Sequence, residues 1–228
     1  MTERHVSETQ PLRKSLLRLC ALVEENARRC VLAIRTRDRE GAQRVIDADH
    51  EIDALEIAIE EHCEEMLQRN TLPAEDVRLV IGFLRINADL ERVGDLSTNI
   101  ARGVLAIGQY EQLVLPAEIV ELAEGTLTML TKSLDAFMHM DTEGARTVCQ
   151  MDREVDDMYR SMIGVVRDRI MAEPAMTERL LHVLSLARAM ERIADYATNI
   201  SENVVYMNEG RIVRHGRMHS HGAEATDS

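Results

Sequence analysis

Four pairs of carboxylic acids, each with its members four residues apart, are the part of this chain whose residue types and spacing suggest chemistry. The pairs are Asp49/Asp53, Glu91/Asp95, Asp152/Asp156 and Glu191/Asp195. On a helix such residues share one face about one turn apart, where like charges cost ~0.2–0.5 kcal/mol per pair. Clustered carboxylate oxygens bind hard and borderline cations such as Mg²⁺, Ca²⁺, Mn²⁺ and iron. The pattern therefore predicts metal ligands, with a solvated acidic face as the alternative interpretation.

Long helices must position these acids, because apolar residues recur with a period near 3.6 through most of the chain. The expected helices cover about 11–35, 40–69, 73–108, 116–139, 142–171 and 177–207. Pro11 suits the first turn of the first helix, and Thr71 is a candidate cap of the third. Residues after about Met207 lose the period, which predicts a mobile tail. A metal-binding role for the tail histidines is the less favoured interpretation.

The two halves of the chain repeat each other. Residues 38–53 match residues 141–156 at eight of sixteen positions, with an offset of 103, and residues 91–101 match 191–201 at six of eleven, with an offset of 100. The repeat predicts an all-α fold of two tandem three-helix bundles with short antiparallel connections. The expected units are a bundle over 10–110, a bundle over 114–208 and a flexible tail over 209–228.

The angular position of the acids predicts a surface site. At 100° per residue, Glu91, Asp95 and Asn99 lie opposite the apolar stripe of the third helix, and Asp49 and Asp53 lie beside the stripe of the second. Two neighbouring helices would bring four carboxylates and an amide together on the outside of each bundle. Such a cluster is strained without a cation, because two charges ~4 Å apart repel by ~1 kcal/mol even in water.

Composition excludes several other classes of protein. Forty acidic residues against 27 basic ones give a net charge of −13, which argues against a nucleic-acid partner. Aromatic residues are 3% of the chain and Gly and Pro are few, so a β fold is close to excluded. The first residues are polar, and no apolar run approaches the ~18 residues of a membrane span. The four cysteines stand singly, as expected for reduced thiols in the cytosol.

The sequence resembles the PhoU family of bacterial phosphate-transport and phosphate-signalling regulators. The resemblance depends on Gly-Ala-x-x-Val-x-x-x-Asp-x-x-x-Asp at 41–53 and 144–156, and on Glu-Arg-[Val/Ile]-[Gly/Ala]-Asp-x-x-Thr-Asn-Ile at 91–100 and 191–200. It implies multinuclear clusters of iron or zinc on the bundle surfaces, while the carboxylate donors by themselves leave manganese or magnesium as alternatives. The implied ligands are Asp49, Asp53, Glu91, Asp95, Asp152, Asp156, Glu191 and Asp195. Asn99 and Asn199 match positions beside the clusters.

The resemblance also implies a function. It implies a cytoplasmic, non-enzymatic adaptor, expected to be a homodimer, that links the ATPase of a phosphate importer to a phosphate-sensing histidine kinase and represses the phosphate-starvation response. Asp89 of the first half is Ala189 in the second, so the two metal sites need not be equivalent. A metal-dependent phosphoesterase and a structural bundle without metal remain as alternatives.

Overall fold

The computed structural model of the chain describes residues 3–68, 72–110, 113–214 and 217–218. Six helices make up almost all of it: α1 (Glu3–Thr36), α2 (Arg39–Gln68), α3 (Ala74–Ile107), α4 (Ala117–His139), α5 (Thr142–Ala172) and α6 (Thr177–Glu209). A 3₁₀ turn, Pro174–Met176, joins α5 to α6, and two short antiparallel strands, β1 (Val213–Arg214) and β2 (Arg217–Met218), follow α6. The predicted all-α, duplicated fold is confirmed.

Most helix ends lie within a few residues of their predicted positions, but the predicted role of Pro11 is wrong. Pro11 lies inside α1 rather than in its first turn. Because Pro11 is the ninth residue of α1, its ring removes one backbone hydrogen bond from the interior of the helix. Thr71, the candidate cap, lies outside the described residues, and Pro73 precedes α3.

The predicted tail begins later than expected and contains the short strands. Helix α6 continues through Glu209 and ends at Gly210, which has a φ of 69° and donates its N–H to the Tyr206 carbonyl. Helices commonly end at a glycine in the left-handed backbone conformation, because glycine has no Cβ that would clash with the backbone there. The tail histidines His215, His219 and His221 lie outside the described residues. The mobility of the tail stays a prediction.

Part of the sequence repeat has a structural cause. Asp38 and Asp141 immediately precede α2 and α5, and the Oδ1 atom of each accepts the backbone N–H of the glycine three residues on, Gly41 at 2.9 Å and Gly144 at 3.1 Å. A Cβ on either glycine would lie 2.5 Å from the Oδ2 atom of its aspartate. The shared Asp-x-x-Gly is therefore an N-cap.

Helices α3 and α6 form the centre of the molecule and pack against each other. Helices α1 and α2 cover α3, helices α4 and α5 cover α6, and α1 also contacts α4. The central pair runs antiparallel, since Gly82 lies against Met207 at one end and Gly103 against Leu186 at the other. None of the described helices combines the length and apolar character that crossing a membrane requires.

Candidate metal centre

The first acidic cluster lies where α2 and α3 pack side by side. Buried Ile52 of α2 packs on Gly94 of α3, where a Cβ would lie 3.1 Å from the Ile52 Cγ2 atom. Gly94 stands between Glu91 and Asp95 in sequence, so the close approach of the helices brings this pair toward the acids of α2. The second bundle has Val155 and Ala194 at the corresponding positions, both buried. The [Gly/Ala] position of the motif thus sets the distance between the two acidic rows.

The acids of the first cluster interact across the two helices. Desolvation raises the pKa of Asp53 above its ordinary value, the Asp49 and Asp95 carboxylates raise it further, and His50 lowers it. Desolvation also raises the pKa of Glu91, followed by repulsion from Asp95. The Oδ1 atom of Asp49 is buried, and no described residue gives it a hydrogen bond. Burying an acceptor oxygen without a donor costs free energy, and a cation bound to that oxygen would remove this cost.

The acids of the second cluster, on α5 and α6, also interact across two helices. Desolvation raises the pKa of Asp195 from 3.8 to about 6, helped by the carboxylates of Glu191, Asp152 and Asp156 in that order, while Arg192 lowers it. The charge of Asp195 therefore meets three others of the same sign. Each of these four is one of the predicted ligands.

Desolvation and neighbouring carboxylates also raise the pKa of Asp152 and of Glu191 in the second cluster. Desolvation and then the Asp156 carboxylate raise the pKa of Asp152, while a hydrogen bond from the Thr198 hydroxyl to its Oδ1 atom, at 3.2 Å, lowers it. Desolvation and Asp156 also raise the pKa of Glu191. Thr198 belongs to the Thr-Asn-Ile segment that both repeats share, and it positions one of the acids directly.

Arginines pair with both clusters, which the spacing argument did not foresee. The Nη1 atom of Arg92 lies 3.4 Å from Asp95 Oδ2, and its Nε atom lies 3.3 Å from Glu91 Oε2. Arg160 contacts Asp156 at 3.3 Å. The signal was present in the sequence, because Arg92 precedes Asp95 by three residues and Arg160 follows Asp156 by four, the two spacings that meet on a helix. These exposed pairs are weak and can be exchanged for another cation.

Glu56 is a further acid at the first cluster that sequence reasoning missed. Desolvation raises its pKa, and Glu60 and Asp53 raise it further. The buried amide of Asn87 donates to the Glu56 backbone carbonyl at 3.0 Å and to its Oε1 atom at 3.4 Å. Glu56 follows Asp53 by three residues, so it extends the same face of α2 by one turn.

The predicted neighbouring amides, Asn99 and Asn199, are exposed. The Oδ1 atom of Asn99 accepts a hydrogen bond from Arg102 at 3.4 Å, and the Asn199 backbone carbonyl accepts one from Asn203 at 3.0 Å. Their role beside the clusters stays a prediction. Asp89, the acid without a counterpart, interacts with Asn203 of α6 at 3.4 Å and so extends toward the other bundle.

The carboxylate oxygens of both clusters are suitable ligands for a cation, but the side chains in the structure do not surround a common point where a cation would sit. Among the residues that the structure describes, no three His, Cys, Asp or Glu side chains converge closely enough to hold a metal ion. The acids nevertheless meet in two groups, raise one another's pKa and leave a buried oxygen of Asp49 unpaired. All eight predicted ligands thus lie in two coupled groups on neighbouring helices.

This protein belongs to the class of duplicated three-helix bundles. Each copy has a cluster of acids where its second and third helices make contact. The family model described as the PhoU domain matches this protein twice, over residues 16–104 and 119–204. The chain belongs to the PhoU family, as the sequence resemblance predicted.

Curated relatives and solved structures agree with this assignment. The chain is 34% identical to the phosphate-specific transport system accessory protein PhoU homolog of Pseudomonas putida, over 94% of this chain and 84% of that protein. It is 30% identical to the PhoU protein of Escherichia coli, over 93% and 90%. The crystal structure of PhoU from Pseudomonas aeruginosa matches with a TM-score of 0.87 and 31% identity, covering 90% of this chain and 98% of that one. The structure of PhoU from Streptococcus pneumoniae has a TM-score of 0.85 and 30% identity, with coverages of 92% and 99%.

Proposed function

We propose that this chain is a regulator of phosphate uptake and of the phosphate-starvation response, acting in the cytoplasm through protein contacts rather than catalysis. The observation that supports it is the match to the PhoU domain over both halves of the chain. Relatives of similar length are phosphate-specific transport system accessory proteins by name. The acids of both motifs lie in two groups of four, each on two neighbouring helices.

The mechanism we propose is that of an adaptor. The chain would contact the ATPase of a phosphate importer and a phosphate-sensing histidine kinase, as a homodimer, and would repress starvation genes when phosphate is plentiful. A switch of this kind requires a different affinity for the partners in the two phosphate states. The net charge of −13 disfavours a nucleic-acid partner.

Partner capture tests the adaptor proposal. The tagged full-length chain should recover the importer ATPase and a sensor kinase from cells, in amounts that differ between phosphate-rich and phosphate-starved cultures. A strain lacking the gene should express starvation genes in high phosphate, and the intact gene should reverse this. Recovery of neither partner in either condition, together with unchanged repression in the deletion strain, would contradict the proposal.

We also propose that each acidic cluster holds a metal cluster, with iron or zinc the expected metal and manganese or magnesium as alternatives. The first cluster would use Asp49, Asp53, Glu91 and Asp95, and the second Asp152, Asp156, Glu191 and Asp195. Bound metal would supply positive charge that neutralises the repulsion among these acids. The arginines would turn away from Glu91, Asp95 and Asp156, which costs little because these ion pairs are exposed.

Metal analysis with a charge-matched control tests this second proposal. Replacing Asp49, Asp53, Glu91 and Asp95 by Ala should remove the metal of the first cluster from protein purified without chelator. The control neutralises four exposed acids of α2 outside the cluster: Asp47, Glu61, Glu64 and Glu65. It changes the net charge equally and should leave the metal content unchanged. Metal content near zero in the unmodified protein, or an equal loss in both variants, would contradict the proposal.

A phosphoesterase is the enzyme that such clusters could form. Metal-loaded protein should show no turnover of a generic phosphomonoester above background. Robust turnover that disappears in Asp95→Ala would contradict the non-enzymatic proposal and would leave the metal proposal standing.

A further inference from the structure

A surface cavity of about 440 Å³ lies between the end of α1 and the start of α4, on residues that the acidic clusters do not use. Arg35, Thr36 and Arg37 line one side of it, at the end of α1. The segment 113–116, which connects the two bundles, and the first residues of α4 line the other side. Its volume falls within the ~300–1,000 Å³ of pockets that bind small molecules.

The two arginines give this cavity a positive charge on an otherwise acidic protein. Arg37 is half-buried, and no described residue pairs with its guanidinium. Among the residues that the structure describes, Arg35 pairs with Glu124, at 3.4 Å, and both of those side chains are more than half exposed. Ion pairs this exposed are weak, so the Arg35 guanidinium is available to a ligand. Planar guanidinium groups bind phosphate through two parallel hydrogen bonds.

Helix α4 adds to the positive potential of the cavity. It begins at Ala117, which lines the cavity, and no side chain caps its N-terminus. The first backbone N–H groups of a 23-residue helix present partial positive charge to an anion placed there. The Glu118 side chain, although it is in the first turn, does not line the cavity.

The remaining wall of the cavity is apolar. Leu113, Leu115, Pro116 and Val120 line it. Arginines beside an apolar wall suit a ligand that joins a phosphate group to a less polar body.

The repeat provides an internal comparison for the arginines. With the offset of 103, Arg35 and Arg37 correspond to Met138 and Met140 of the second bundle. Arg37 and Met140 both have left-handed backbones, with φ of 55° and 52°. The same turn therefore forms with methionine, and the fold does not require the arginine charges.

We propose that the cavity between α1 and α4 binds a phosphate group, either as inorganic phosphate or as a small phosphate ester. The site is separate from the acidic clusters and from the metal proposal. Two arginines, an uncapped helix start and a cavity of ligand size meet at this place, on a chain whose charge elsewhere repels anions.

Titration calorimetry on the full-length protein tests the proposal with inorganic phosphate and adenosine monophosphate as separate probes. Binding of at least one probe is expected, with affinity at least about tenfold lower in Arg35→Met/Arg37→Met, which removes both charge-assisted contacts. The variant installs the residues of the second bundle, and an unchanged circular dichroism spectrum checks that it folds. Arg211→Met, which removes an exposed arginine outside the cavity, should change the affinity less than about twofold.

The probes separate the two sources of phosphate, and a cluster variant separates the cavity from the metal sites. Tighter binding of the free ion identifies inorganic phosphate, and tighter binding of the nucleotide identifies an ester. Asp53→Asn/Asp95→Asn should retain the affinity. The proposal is overturned if neither probe binds at millimolar concentration, if the double arginine variant binds as well as the unmodified protein, or if only the cluster variant loses binding.

Discussion

Asp195→Asn should stabilise the metal-free protein near neutral pH, although it removes a predicted metal ligand. The folded protein raises the pKa of Asp195 from 3.8 to about 6, through desolvation and through Glu191, Asp152 and Asp156. Between these two values the folded state binds more protons than the unfolded state, so this group lowers the stability as pH rises. Asparagine has no charge to repel and should remove the penalty above pH 6.

The size of the effect follows from the pKa. Each factor of ten in proton affinity corresponds to about 1.4 kcal/mol, so a rise from 3.8 to about 6 gives a ceiling of ~3 kcal/mol. Because Asp195 is exposed, screening by solvent reduces this to ~0.5–1 kcal/mol. The gain should become smaller at high salt, since part of it is repulsion between exposed charges.

Urea denaturation of chelator-treated protein at pH 7.5 and pH 4 measures this gain. At pH 7.5 the Asp195→Asn variant should unfold at higher urea than the unmodified protein, and at pH 4 the two should agree. The control Asp168→Asn removes a carboxylate whose side chain is 68% exposed and which lies outside the cluster. With metal added, the order should reverse, because the variant has lost a ligand. Destabilisation of the metal-free variant at pH 7.5, or an equal gain at both pH values, would refute the electrostatic reasoning.

Two further predictions concern the scaffold. Asp141→Ala should lower the free energy of unfolding by ~1 kcal/mol in urea titrations, because it removes the oxygen that caps α5; an unchanged midpoint would contradict the capping assignment. Gly82→Ala should cost ~1–3 kcal/mol, because its Cβ would lie 2.3 Å from Met207 Cγ in the central helix pair. At Gly164 an added Cβ would contact none of the described side chains or other helices within 4 Å, so Gly164→Ala should instead stabilise α5 by ~0.5–1 kcal/mol. Equal effects of the two substitutions on the free energy of unfolding would contradict the view that packing determines the difference.

The helices and their duplication could be predicted from the sequence because both depend on local patterns. The period of 3.6 identifies each helix, and the repeated Asp-x-x-Gly marks the start of α2 and α5. The start of α1 could not be predicted in this way. Proline favours the first turn of a helix, which predicts a start at Pro11, whereas α1 begins at Glu3 and contains Pro11 in its interior.

The candidate site could be predicted only as far as spacing determines which residues share a face. Spacing placed the four acids of each bundle on facing helices, and in the structure, besides desolvation, the acids of α2 raise the pKa of Glu91 while those of α5 raise the pKa of Glu191. Spacing could not show how close the helices approach, which depends on Gly94 and on Ile52 of the partner helix. Spacing also could not show which of several possible neighbours each acid contacts. The arginine contacts and the interaction of Glu56 with the cluster are therefore seen only in the packed structure.

The difference between Asp89 and Ala189, which occupy equivalent positions in the two repeats, is related to the contact of α3 with α6 and not to the acidic clusters. Asp89 interacts across α3 and α6 with Asn203. With the offset of 100, the corresponding positions are Ala189 and Gly103, and a Cβ on this glycine would lie 2.5 Å from Leu186 Cδ2. Both members of the polar contact are therefore replaced by small residues at the other end of the pair. The two halves therefore differ at this contact of α3 and α6, while the eight acids occupy equivalent positions in both repeats.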